Sequence, residues 1–401
     1  MIRPLFFVLL LFALLGDARV FLFVMNRLVF GSHRHEKSEL GWLMYAVPPV
    51  LLVLTLLFWP LHQWVGWLAS QAVVDRVTPE AVERAALSPR LAQLGAAWLI
   101  VAASIGLYWI IDRLRALVVR DAPVAGTRSS EPEVVRLRRA HVPFAWLRKL
   151  GAHNDVYDIE VTHHEVVVDG LPEAFDGFRI AFLTDTHVAS FVRPAFYREA
   201  VSQAMRFRPD LVLLGGDFVT WKRHIPLMAE VLLSGLSAPD GVYAVLGNHD
   251  YWADANQVRD LMEARGVEFI VNRRVTIDRR GTKLDLIGID EVYRGEPDLE
   301  AAFAGLDGST PVLGLSHHPD IIDLLEGRRL DLLVCGHTHG GQIRFPFFGS
   351  VVVPSRHEAR YAAGFRRVGR VLIYVSRGIG AIPPLRILCR PEVATFTLRR
   401  A

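Results

Sequence analysis

The chain has 401 residues, enough for more than one domain, and a mild net charge of +3 with a pI of about 8.9. That balance excludes a strongly acidic or basic scaffold. Two cysteines, Cys335 and Cys389, exclude a disulfide framework. Mean hydropathy is +0.27, high for a soluble enzyme, and the apolar excess lies at the amino end.

Three apolar runs open the chain: Leu5–Leu15 continuing into Val20–Met25, then Trp42–Pro60, then Ala96–Ile111. The second and third approach the roughly 20 residues needed to span a bilayer. Asp17 and Arg19 interrupt the first. Trp42, Trp59, Trp64 and Trp67 flank the second run as an interfacial aromatic belt would. Residues 1–120 are therefore expected to form an α-helical membrane module of about three spans. Arg27, Arg34, Lys37, Arg113, Arg115, Arg120 and Arg128 fall on one side of such a module, and Arg3, Arg76, Arg84 and Arg90 on the other. The larger group marks the cytoplasmic side, which places the carboxyl-terminal domain in the cytoplasm of a multi-pass protein of the cell membrane. One span more or fewer would reverse this and put it on the periplasmic or extracellular side.

Residues 121–156 read as a linker, with Pro123, Gly126, Ser129, Ser130 and Pro132 at its start. The basic stretch Arg136-Leu137-Arg138-Arg139 and the segment around Phe144, Trp146 and Leu147 suit contact with membrane lipids. No nucleic-acid-binding motif accompanies them, so nucleic acid is not the expected partner.

From Tyr157 to Ala401 the pattern is that of one compact α/β domain. Val156–Val161 and Glu165–Val168 read as paired strands linked by Thr162-His163-His164, whose histidines are expected at the surface. Short apolar stretches then alternate with helix-like segments at Pro194–Phe207, Ile225–Ser234 and Asp254–Arg265. Lys283–Gly288, Val371–Val375 and Val393–Leu398 are further strands.

Five apolar stretches end in motifs rich in metal-binding side chains. Arg179–Thr184 precedes Asp185-Thr186-His187. Leu211–Leu214 precedes Gly216-Asp217, and Val242–Leu246 precedes Gly247-Asn248-His249-Asp250. Pro311–Leu315 precedes Ser316-His317-His318-Pro319-Asp320, and Asp331–Cys335 precedes Gly336-His337-Thr338-His339-Gly340-Gly341. Donors at the carboxyl ends of several strands converge on one crevice. Asp, Asn and His without Cys suit a pair of divalent cations, with Mn, Zn, Fe and Mg all compatible. Cys335, inside a Leu/Val strand, reads as a buried structural thiol.

These motifs in this order resemble the calcineurin-like metallophosphoesterase superfamily from Phe178 to the end of the chain. The tail, with Tyr361-Ala362-Ala363-Gly364, Ser376-Arg377-Gly378-Ile379-Gly380, Leu385-Arg386 and Cys389-Arg390-Pro391-Glu392, is similar to that of its bacterial membrane-associated phosphodiesterases. The multi-span amino end resembles the transmembrane metallophosphoesterases. The resemblance implies a four-layer α/β/β/α sandwich behind the membrane module, and a binuclear centre. Asp185, His187 and His339 match the ligands of one metal, Asn248, His317 and His337 those of the other, and Asp217 the bridging carboxylate. A hydroxide bridging the metals would attack phosphorus. His249 matches the histidine that faces the leaving group, with Asp250 expected to orient its ring. The motif spacing favours His317 over its neighbour His318 as ligand, and leaves His318 behind the site or at its rim. His224 reads as a surface histidine.

The expected function is a membrane-anchored phosphodiesterase or pyrophosphatase acting on a phosphate ester, with a lipid-linked substrate suggested by the membrane attachment. The alternatives are a phosphomonoesterase or nuclease of the same superfamily, or a non-catalytic membrane signalling protein. The last would show a lost ligand, and none is lost here. A transporter is disfavoured because the apolar runs carry few charges beyond Asp17 and Arg19.

Overall fold

The computed structural model describes residues 12–20, 97–98, 100–111, 124–137, 153–189, 192–346, 348–350 and 352–401. The chain divides into two compact units, Met1–Asp121 and Ala122–Ala401. In the first, residues 12–20 and 100–111 are helical. They approach closely through small residues: a side chain at Gly106 would meet the Phe12 carbonyl, and one at Gly16 the Ala102 carbonyl. Ile100, Val101, Leu107, Tyr108 and Ile111 are exposed. Among the described residues no helix is long and apolar enough to cross a membrane. The expected span Trp42–Pro60 and parts of the other two lie outside the described residues, as do Arg138–Ala152 with Phe144, Trp146 and Leu147.

The second unit is built on two main sheets. The strands of the first are β1 (Thr127–Ser129), β2 (Glu133–Arg136), β3 (Asp158–Val168), β4 (Arg179–Leu183), β5 (Leu211–Leu214), β6 (Val242–Ala244), β7 (Glu268–Phe269) and β16 (Glu392–Arg400). Their order is β1-β3-β16-β4-β5-β6-β7, with β2 also on β3. The second sheet runs β14 (Gly364–Val368), β15 (Val371–Val375), β11 (Leu330–Cys335), β10 (Val312–Ser316), β9 (Thr282–Ile289) and β8 (Arg273–Arg279). β12 (Arg344–Phe345) and β13 (Gly349–Ser350) form a small hairpin.

Alternation along the strands places the cores. In β4, Ile180 and Phe182 face the second sheet, where they join Leu286, Leu315, Val334 and Leu372. Ala181 and Leu183 face the other way, onto α1 (Pro194–Arg206), α2 (Ile225–Leu232) and α4 (Ala255–Glu263), through Phe196, Tyr197, Met228 and Met262. The outer face of the second sheet, with Ile289, Leu333, Cys335 and Ile373, is covered by Ala302 of α5 (Leu299–Ala302) and by Ile321 and Ile322. Helices, sheet, sheet and helices therefore stack as a mixed α/β sandwich. Cys335 is fully buried, and burial raises its thiol well above the usual range.

Two sequence expectations need correction. The stretch read as linker contains β1 and β2, which hydrogen-bond to β3 along Thr127–Ser129 and Glu133–Arg136. Gly, Pro and Ser around these short strands masked a weak β pattern. Residues 156–168 contain one continuous strand rather than a pair. His164 is buried in it, its Nδ1 2.7 Å from Ser129 Oγ and its Nε2 3.0 Å from Tyr374 Oη. Neighbouring strands supply those polar partners, which the local sequence could not reveal.

Candidate metal centre

β4, β5 and β6 run parallel in one sheet, and β9, β10, β11 and β15 in the other. Their carboxyl ends release the five motifs toward one point. Asp185, His187, Asp217, His337 and His339 all adopt left-handed backbone conformations, with φ between 44° and 68°. The polypeptide thus leaves each strand by an abrupt turn that swings the side chain across the sheet ends. At the β11 exit the histidines themselves take this turn, together with Gly340 and Gly341. Gly336 serves another need: a Cβ there would lie 2.1 Å from Asp185 Oδ2 and 2.2 Å from Thr184 Oγ1.

The donors form two lobes joined at Asp217. Its Oδ2 stands 3.4 Å from His187 Nε2 and 3.4 Å from His317 Nε2. On one side, His187 Nε2 and His339 Nε2 are 3.0 Å apart, and His339 Nε2 lies 3.6 Å from Asp185 Oδ1. On the other, His317 Nε2 is 3.1 Å from His337 Nδ1. Asn248 opens α3 (Asn248–Ala253) and is buried, and its Oδ1 has no hydrogen-bond partner. A buried amide oxygen without a donor is costly unless something else satisfies it. Facing ring nitrogens, a shared carboxylate oxygen and an orphaned amide oxygen all fit divalent cations held by N and O donors.

Surrounding groups fix the rings. His317 Nδ1 donates to the Gly215 carbonyl at 2.7 Å, which leaves Nε2 for the centre. His318 points elsewhere: it is fully buried, its Nδ1 accepts from Asp320 N at 3.0 Å, and its ring lies 3.8 Å from that of His337. It packs behind the site and is not at the rim. His224 is also less open than expected, since it is largely buried beside Trp221.

The electrostatics are those of a site crowded with like groups. Burial drives His187 and His337 well below the ordinary imidazole range, and His339 to about 3. His317 goes the other way, to about 10: burial opposes its charge, but Asp217, Asp185 and Glu291 outweigh it. Such an excess of carboxylate is a field in which a cation replaces a proton. Asp185 is raised to about 6, by burial first and then Asp217.

Asp250 corrects the sequence reading. Its Oδ2 accepts from Gly247 N at 2.9 Å and its Oδ1 from Phe218 N at 2.9 Å. It ties the Asp217 loop to the start of α3 and makes no hydrogen bond to the His249 ring, because the tight turn at Gly247 aims it into the protein. Burial raises it to about 7. His249 is half-buried, its backbone N–H donating to Asp217 Oδ1 at 2.8 Å. Its ring stands edge-on to His187 at 4.7 Å and to Trp252 at 4.6 Å.

Arg386 was present in the sequence pattern without a role. Its side chain is fully buried and donates to the carbonyls of Arg377, Gly378 and Gly380 and toward that of His339. Gly380 N in turn donates to Asp185 O. Arg386 thus clamps the loop that backs Asp185 and His339. The sequence signal for it was an arginine in an otherwise apolar run.

The calcineurin-like phosphoesterase profile matches residues 178–341, which span all five motifs. The Bacillus subtilis metallophosphoesterase YkuE is 32% identical over 60% of this chain and 86% of its own length. The Escherichia coli phosphodiesterase YaeI is 32% identical over 55% of this chain and 82% of its own. A zebrafish transmembrane protein with a metallophosphoesterase domain is 28% identical over 64% of this chain and 61% of its own. The chain belongs to the calcineurin-like metallophosphoesterase family and is a metal-dependent phosphoric ester hydrolase.

Proposed function

We propose that the protein is a membrane-anchored phosphodiesterase or pyrophosphatase that uses two divalent cations. The observation that carries this reading is Asp217 Oδ2, placed equally, at 3.4 Å, from the His187 and His317 nitrogens. Asp185, His187 and His339 would hold one cation and Asn248, His317 and His337 the other, with Asp217 serving both. Bound cations of this kind supply a water acidified toward neutrality and positive charge against the phosphoryl oxygens.

The chain's own groups do the remaining work. Asp217 holds the His249 backbone while it faces both lobes, so the α3 terminus and the donors move as one unit. His249 stands over the His187 side of the site with its ring half open, where an imidazole can meet the leaving oxygen and give it a proton. Asp250 maintains that geometry from below through Gly247 and Phe218.

Anchoring is supported by the apolar runs, by the five exposed apolar side chains between Ile100 and Ile111, and by the name of the zebrafish relative. Anchoring in turn favours a lipid-linked phosphate ester, with the catalytic domain in the cytoplasm. Hydrolysis of bis-p-nitrophenyl phosphate, p-nitrophenyl phosphate and a UDP-linked lipid, measured with Mn, Zn, Fe and Mg in turn, tests the reaction class. Asp217→Asn tests the centre: turnover should vanish and metal content should fall at both sites. Two tightly held metals in that variant would overturn the assignment.

A further inference from the structure

Among the described residues of Ala122–Ala401 seven large apolar side chains are exposed, and six of them lie on the segments that follow β5, β6, β10, β11 and β15. Trp221 follows Asp217. Trp252 shares α3 with Asn248 and His249. Leu324 ends the turn after His317, Phe345 and Val352 follow His339, and Leu388 lies on the segment that passes Asp185. Their exposures run from 42 to 57%. All five strands point their carboxyl ends toward the candidate metal centre, so these side chains share the end of the domain that carries its mouth, as an apolar collar. The turns at the opposite strand ends, such as Asp169-Gly170, Arg280-Gly281 and Asp307-Gly308-Ser309, are polar. The seventh residue, Val167, lies on β3 near that opposite end.

Cations accompany the collar. The Arg223 guanidinium lies 5.0 Å from the Trp221 ring centre, and that of Arg294 5.3 Å from the Trp252 ring centre. Arg344 adjoins Phe345 and donates to the Gly340 carbonyl. Among the described residues none of the three is paired with a carboxylate. A groove of about 640 Å³ lies beside His249, its walls including Trp221, Arg223, Trp252 and Ile382.

We propose that this mouth docks on an anionic lipid surface, so that the hydrolysed phosphate ester is one presented in the headgroup layer. The inference rests on the phosphohydrolase reading above. Apolar patches of this kind mark interaction surfaces. Tryptophan, apolar body inward and N–H outward, is suited to the boundary between hydrocarbon and water. Guanidiniums without carboxylate partners match lipid phosphates. A protein partner could cover the apolar side chains. Apolar side chains from several separate segments at the active-site end, with arginines beside both tryptophans, fit a flat anionic layer better.

The test places an environment-sensitive fluorophore at Leu388→Cys, at Phe345→Cys and, as control, at Val167→Cys in the full chain. The native cysteines are buried. The chain is reconstituted in vesicles of phosphatidylcholine with phosphatidylglycerol, with and without lipids carrying a quencher on the acyl chain. Collar side chains at an interface reach about 5–10 Å into the headgroup–acyl boundary. The two collar positions should therefore shift to the blue and be quenched, while Val167→Cys does neither. The shift should weaken in Arg223→Gln/Arg294→Gln and in vesicles of phosphatidylcholine alone. Equal quenching at all three positions, or none at the collar, overturns the proposal. A blue shift at the collar that tracks protein concentration in the absence of lipid also overturns it, in favour of a second copy. Hydrolysis of bis-p-nitrophenyl phosphate by the unsubstituted chain reports separately on the underlying reading.

Discussion

Five of the seven proposed ligands sit in the left-handed backbone region, which for non-glycine residues costs about 1–3 kcal/mol each. Strain concentrated in this way has a direction: it aims Asp185, His187, Asp217, His337 and His339 across the strand ends rather than along them. His249 has no such constraint and contacts the donors only through its ring and backbone N–H. His249→Ala should therefore keep its metals and lose kcat, by roughly 100- to 10,000-fold on poor leaving groups. The loss should shrink with p-nitrophenolate, which needs little protonation. Metal content and kcat measured on both substrate types check this, and loss of metal would assign the ring a structural part instead. His164, away from the centre, tests burial alone. Desolvation lowers it from 6.5 to about 4 in the folded protein. Unfolded chains take up that proton at higher pH, so stability is full above about pH 6.5 and declines as pH falls toward 4. The decline attributable to this group is about 3 kcal/mol. Chemical denaturation of His164→Gln between pH 7 and 4 should show a shallower slope than the parent; an unchanged slope would remove His164 as its source.

At the scale of elements, the strands supply direction and the carboxyl-terminal segment supplies rigidity. Ile379 N donates to Thr184 O and Gly380 N to Asp185 O, so the loop after β15 lies against the exit of β4. Arg386 holds that loop through several carbonyls, and Asn154 holds Arg386 by accepting its backbone N–H at 2.9 Å. A lysine has the charge but not the planar fork of donors. Arg386→Lys should lower stability by about 1.5–3 kcal/mol, the usual worth of a hydrogen bond to a charged group. It should also release metal more readily under a chelator. Thermal melting and metal analysis with and without EDTA provide the check. A variant that melts lower yet holds metal as tightly as the parent would confine Arg386 to the fold.

For the whole molecule, the boundary of the catalytic unit matters. β1 and β2 cover an edge of β3, and Asn154 reaches Arg386 and Pro384. A chain beginning at Tyr157 lacks all three. Uncovered strand edges invite pairing with other chains. A chain beginning at Ala122 is expected to fold as a monomer and hydrolyse bis-p-nitrophenyl phosphate. One beginning at Tyr157 should aggregate or melt several degrees lower. Light scattering and thermal melts of the two decide the matter, and equal behaviour would return residues 122–156 to the role of a tether.

The sequence by itself determined the strands that carry the motifs and the three long helices, because strand alternation and helical periodicity are local properties, while the seven proposed donors came from the order of the motifs and their resemblance to a family. Val371–Val375 and Leu211–Leu214 were legible to the residue, since each is a run of apolar side chains between polar boundaries. The structure alone decided what depends on distant partners. Asp250 turned inward to Phe218 rather than toward His249, and His164 was buried between Ser129 and Tyr374. Arg386 became a clamp because carbonyls from segments far apart in sequence converge on it. The exposed apolar side chains likewise came to share one end of the domain only when five separate strands were assembled into sheets. Hydrogen-bond partners and exposure are set by packing between sheets, which no local pattern encodes.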